Sequence, residues 1–274
     1  MLTRIISGAV AIVILILVLI ANSYWAPTAV IFLAILAALA AYEMMNNTGA
    51  VKNRVAVFGA MIYSLLVQFS YAGILPVEAS VLTVAYVLLI VAVSLKCHAT
   101  FKPDAITMSL SMPILISYAF STLAGLLGSK DGLGLFYLVL LLNFSSIADC
   151  CAYFTGVAIG KHKLAPVISP KKTIEGVIGG MVGSVIGTVV VCLIFNRLVV
   201  GGSFNILLLC LITPVMVAVG IMGDLFTSAI KRTYGIKDYG NLMPGHGGVL
   251  DRFDSILLCA PVLSLLLKYV EVIS

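Results

Sequence analysis

Charge is scarce in this chain. Only 10% of its 274 residues are Asp, Glu, Lys or Arg, against 62% hydrophobic residues and a mean hydropathy of +1.19. A soluble core cannot absorb that many apolar side chains, so a water-soluble globular fold is excluded. The chain has no low-complexity tract, no soluble domain and no fixed-period repeat. Its six cysteines, Cys97, Cys150, Cys151, Cys192, Cys210 and Cys259, lie in or beside apolar stretches without metal-type spacing, and they read as small hydrophobes. No small-residue cleavage site follows the first apolar run, "IISGAVAIVILILVLIAN", so that run is expected to stay as a span rather than leave as a signal peptide.

What the sequence does contain is apolar runs of membrane-spanning length. They predict an all-α, polytopic transmembrane helical protein with spans near 5–22, 26–44, 54–71, 79–95, 107–128, 133–159, 174–195, 205–230 and 255–273, nine in all. With a cytoplasmic N-terminus, thirteen Lys and Arg fall on inside segments and three (Lys130, Arg197 and Lys268) fall elsewhere. That partition follows the positive-inside rule. Residues 1–274 read as a single membrane domain. Residues 1–130 hold the N-terminal spans, and residues 131–274 hold the spans that carry cytoplasmic loops 160–175 and 231–254.

Against this background "KRTYGIKDYGNLMPGHGGVLDRFD", Lys231 to Asp254, stands out, with seven charges in 24 residues. A second polar loop is "GKHKLAPVISPKKTIEG", Gly160 to Gly176. Non-helical backbone at membrane depth must be covered by protein or line a wet cavity, so both loops point to a polar pocket at the cytoplasmic face. Helical spacing places Asp224, Ser228 and Lys231 on one face, repeats the pattern at Ser145, Asp149, Tyr153 and Gly156, and makes Asp251 and Asp254 i, i+3 neighbours.

An ionised carboxylate at the centre of a span costs about 2.5–3.5 kcal/mol, which something must offset. Asp251 and Asp254 as helix caps, or Asp224 paired with Lys231 or Arg232, would account for single acids. Acids on three helices beside lysines and a Gly-rich loop call for more. Sparse carboxylate oxygens with lysines nearby suit magnesium bound together with phosphates, and zinc is disfavoured because His246 is the only histidine of the cluster. His246 is then a metal ligand, a phosphate contact or a loop-structuring residue, while Gly245, Gly247 and Gly248 would let backbone N–H groups approach an anion. "GVAIGKH" is not a P-loop, being one residue short between its glycines and lacking the Ser or Thr. No nucleophile–base pair stands out, which favours direct transfer between two bound substrates.

The order Ser228-x-Ile230-Lys231-Arg232, Lys237-Asp238-x-Gly240, then Pro244-x-His246-Gly247-Gly248-Val249-x-Asp251-Arg252-Phe253-Asp254 closely resembles the C-terminal signature of the phosphatidate cytidylyltransferases, or CDP-diglyceride synthetases. "DCCAYFTGVAIG" from Asp149 and "SPKKTIEG" from Ser169 resemble the upstream motifs of that family. Met243 departs from its usual Leu, Ile or Phe, a swap of similar volume.

The resemblance implies that CTP and phosphatidic acid react to give CDP-diacylglycerol and pyrophosphate. It also implies magnesium, potassium as a second ion, a homodimer, and a multi-pass inner-membrane protein whose active site faces the cytoplasm. Membrane lipids are expected partners and nucleic acid is not. Asp224, Asp251 and Asp254 match the metal-site acids, with catalytic Lys231 beside them. Ser228, Arg232, Lys171, Lys172, Lys237, His246, Gly247, Gly248, Arg252 and Asp149 are the expected substrate-binding residues. A CTP-dependent lipid kinase, a CDP-archaeol-type synthase and a secondary transporter are the alternatives. Glu43, at the end of the second span, reads as interfacial or as a pocket acid.

Overall fold

The computed structural model describes residues 2–25, 27–129, 132–198, 203–245 and 247–272. The described chain is helical apart from one small hairpin. Its elements are α1 (Leu2–Tyr24), α2 (Pro27–Tyr42), α3 (Arg54–Tyr71), α4 (Ala79–Lys96), α5 (Pro103–Leu127), α6 (Gly134–Leu142), α7 (Ala148–Ile159), β1 (Lys163–Ala165), β2 (Ser169–Thr173), α8 (Ile174–Leu198), α9 (Ile206–Thr233), α10 (Leu250–Phe253) and α11 (Ile256–Leu266). Single π turns, Glu43–Asn47 and Asn143–Ile147, extend α2 and join α6 to α7.

Among the described residues eight helices are long and apolar enough to cross a membrane, including the continuous segment Gly134–Ile159. The all-α membrane architecture read from the sequence is therefore what the chain adopts. The expected ninth span, 255–273, instead holds a helix of 11 residues, α11. At 1.5 Å per residue that is about half the thickness of a bilayer core.

Local chemistry sets the helix ends. Asn53 caps α3, its side-chain oxygen accepting from Val55 N and Ala56 N at 2.9 and 3.2 Å. Pro103 opens α5 at a position where no N–H is needed.

The chain forms two compact units. The first comprises residues 1–128 and 231–253, the second residues 129–230 and 254–274. In the first, α2 packs on α3 and α5, and its Ala34, Ala37 and Ala41 are fully buried, small side chains that let helix backbones come close. Tyr63 and Tyr86 stack at 4.6 Å. Gln68 Nε2 donates to Ser117 O at 3.0 Å and Ser121 Oγ donates to Gln68 Oε1 at 3.0 Å, so the polar groups between α3 and α5 satisfy one another.

In the second unit α7 packs tightly on α8. A side chain added at Gly180 would meet Ala148 O at 2.8 Å, which explains the run of small residues at four-residue spacing on α8. Asn143, in its π turn, donates to Ser184 O at 2.9 Å and to Thr188 Oγ1 at 3.0 Å. The hairpin pairs Lys163 with Thr173 and Ala165 with Ser169, so part of the expected loop 160–175 is regular structure.

Candidate functional site

In the first unit the polar stretch after α9 is organised around two buried acids. Asp251, on α10, spends both oxygens. Oδ1 accepts from Lys231 Nζ at 2.9 Å, and Oδ2 accepts from Tyr239 N at 2.8 Å and Gly248 N at 2.9 Å. Lys231 also lies 5.3 Å from the centre of the Tyr239 ring, a cation–π distance, and Tyr239 is fully buried. Taking a carboxylate out of water is costly, and these three donors offset that cost.

The second acid is Glu43, 5% exposed, in the π turn that ends α2. Its oxygens accept from Val249 N and Leu250 N, each at 3.0 Å. Asn47, from the same turn, donates to Tyr239 O at 2.7 Å. π turns disturb the regular helix ladder and are frequent at functional sites. This one presents Glu43 and Asn47 side by side to the loop. Met243 and Gly247 exchange two backbone hydrogen bonds, with Gly247 at φ +90°, where a side chain would be strained and would also meet Asp251 Oδ2 at 2.8 Å. Gly248 packs directly on the Glu43 carboxylate.

The second unit contains the other acids. Asp224, on α9, forms an ion pair with Lys172 of β2, and Asp224 Oδ1 accepts from Ser228 Oγ at 3.3 Å. Asp149, in the first turn of α7, lies in the electrostatic reach of both Lys172 and Asp224. Asp254 Oδ1 accepts from Ser255 N at 2.7 Å, in the turn that opens α11. The hairpin is tied to the start of α8 by Glu175, which accepts from His162 N at 3.2 Å and pairs with His162 Nδ1 at 2.6 Å.

Within each unit the structure brings part of the expected set together. Lys231, Gly247, Gly248 and Asp251 are brought together in the first unit. Asp149, Lys172, Asp224 and Ser228 are brought together in the second. Arg232, Lys237 and Arg252 in the first unit and Lys171 in the second are exposed. His246 lies outside the described residues. One explanation the sequence offered for Asp224 was an ion pair with Lys231 or Arg232; the structure shows Asp224 paired with Lys172, and Lys231 paired with Asp251. Tyr239 and Asn47 were missed. Glu43 carried a signal, an acid at the end of an apolar run, but its partners lie more than 200 positions away.

Among the described residues no three His, Cys, Asp or Glu side chains gather as a metal-holding group. The available donors are carboxylate oxygens in small numbers, Asp224 and Asp254 in the second unit among them. Carboxylate oxygens in small numbers are the kind of donor that magnesium takes, one or two of them with water and phosphate oxygens completing the shell.

Comparison with known proteins bears on the chemistry. The chain is 45% identical over 134 residues to the phosphatidate cytidylyltransferase of Staphylococcus haemolyticus (strain JCSC1435), covering 49% of this chain and 50% of that protein. It is 40% identical over 136 residues to the phosphatidate cytidylyltransferase of Thermotoga maritima, covering 48% of this chain and 49% of that protein. These alignments span about half the length of the curated relatives. The profile described as the cytidylyltransferase family matches residues 2–270. With nearly its whole length inside that match, the chain belongs to the cytidylyltransferase family.

Proposed function

We propose that this chain transfers the cytidylyl group of CTP to phosphatidic acid, giving CDP-diacylglycerol and pyrophosphate. The observation that carries the reading is family membership in a chain with eight candidate membrane spans. A cytidylyltransferase built of membrane helices is suited to an acceptor that is itself a lipid, and the relatives named above carry the name of that reaction.

In this reading a phosphate oxygen of phosphatidic acid attacks the α-phosphorus of CTP in line, and the bond to the pyrophosphate oxygen breaks. The enzyme supplies no nucleophile. Asp224 and Asp254 would hold magnesium, whose charge when bound favours departure of pyrophosphate. Asp251, the third acid of that expected set, serves in the first unit as the acceptor that holds Lys231, Tyr239 and Gly248 in place. Lys172 shares its charge between Asp224 and incoming phosphate, while Lys171, Lys237, Arg232 and Arg252 are exposed cations suited to the triphosphate.

The reading extends to a cytoplasmic N-terminus, an active site facing the cytoplasm at the inner membrane, a homodimer, and potassium as a second ion. Orientation rests on the thirteen-to-three distribution of Lys and Arg. The dimer and potassium rest on the family resemblance.

The test is turnover of purified protein in detergent with magnesium, phosphatidic acid and CTP labelled at the α-phosphate. Label should enter the lipid with wild type and not with Asp224→Asn. Transfer from γ-labelled CTP, with none from α-labelled CTP, would replace this reading with a lipid kinase.

A further inference from the structure

We propose that Glu43 is a positioning residue for the loop that ends in Asp251. Buried acids in membrane helices need a reason, and here the reason is geometric. Glu43 reaches across 206 and 207 positions of sequence to accept from two successive backbone N–H groups, Val249 and Leu250, at 3.0 Å each. The next amide upstream, Gly248 N, is turned to Asp251 Oδ2. Three consecutive amides thus face two carboxylates, Glu43 from one side and Asp251 from within the loop.

The consequence is directional. With Val249 N and Leu250 N held by Glu43, Gly248 N is aimed at Asp251, which in turn fixes Lys231. Asn47, one turn further along the same π segment, holds Tyr239 O, so the far end of the loop is pinned to the same short stretch of helix. The sequence is shaped for this contact. A side chain at Gly240 would come within 2.8 Å of Glu43 Cδ, and one at Gly248 would come to 2.5 Å of the same atom. Glycine at both positions leaves the carboxylate room to reach the amides. Glu43 touches no reacting atom in this scheme; it acts through the loop.

The inference rests on the proposed cytidylyl transfer only for its effect on turnover, and the experiment separates the two. Full-length wild type, Glu43→Gln and Glu43→Asp are purified in detergent. Amide hydrogen exchange is followed in peptides covering 239–251 and in peptides from α3 to α5, alongside transfer from α-labelled CTP.

Gln matches Glu in volume but offers one acceptor oxygen and sets an NH2 against one of the two N–H groups. Exchange in 239–251 should therefore rise in Glu43→Gln while the α3 to α5 peptides stay as in wild type, and kcat should fall about 10–100-fold, the range for residues that orient a site from behind. Glu43→Asp, which keeps both oxygens, should recover part of the protection and part of the turnover. Exchange in 239–251 that is unchanged in Glu43→Gln would overturn the inference, because a side chain that merely fills space is replaced by Gln without loss. A protected loop in a wild type without cytidylyl transfer would overturn the proposed reaction and leave the role of Glu43 standing.

Discussion

Lys231 Nζ sits 2.9 Å from Asp251 Oδ1, and both side chains are nearly closed to solvent, at 10% and 3% exposure. Neither charge can be removed alone without stranding the other. Lys231→Met should destabilise the protein by about 3–5 kcal/mol, the usual cost of leaving a buried charge unpaired. Lys231→Met combined with Asp251→Asn should be less destabilised than Lys231→Met alone, since Asn removes the charge and keeps an acceptor. Thermal melting in detergent checks the order, and a double variant less stable than Lys231→Met would refute it.

Gly248 leaves no space for a methyl group beside Glu43. Gly248→Ala should cost about 1–3 kcal/mol from overpacking. The same substitution in a Glu43→Ala background should cost less, because the obstructing carboxylate is gone. Equal costs in the two backgrounds would show that the clash is not the cause.

Lys172 and Asp224 are each about one-fifth exposed and form an ion pair between β2 and α9 of the second unit. A double-mutant cycle with Lys172→Met and Asp224→Asn should give a coupling energy of roughly 0.5–3 kcal/mol. Turnover should be lost in Asp224→Asn if this acid holds magnesium, and near-normal turnover would remove it from the metal site.

Asn53 offers a measurement independent of catalysis. Its side chain accepts from two amides at the start of α3. Asn53→Ala should lower stability by about 1 kcal/mol, while Asn53→Asp or Asn53→Ser should lose far less. Identical melting of Asn53→Ala and wild type would show that the cap contributes nothing.

Much of the fold is legible without coordinates because hydropathy is a local sum. About twenty residues suffice to mark a span, and expected spans such as 54–71 and 79–95 coincide with α3 and α4. The last span misled for a related reason. Residues 255–273 are mostly apolar, with Lys268 and Glu271 near their end, but composition does not reveal that the helix stops at Leu266 and that Val272 O turns back to accept from Asn205 N at 2.9 Å. The hairpin at Lys163–Thr173 was hidden because its few alternating residues include Pro170 and consecutive lysines, which read as loop.

By itself the sequence determined eight of the helices long and apolar enough to cross a membrane, where the polar loops fall, and which acids and lysines are available. Each follows from residue type over a short window. Only the tertiary structure decided the pairing: Lys231 with Asp251, 20 positions away, Lys172 with Asp224, and Glu43 with the amides of Val249 and Leu250. A carboxylate in a membrane helix must find a partner, but any lysine or free amide would satisfy that requirement energetically. The path of the chain chooses among them, and that choice turned an acid at the end of the second span into the anchor of a loop two hundred residues later.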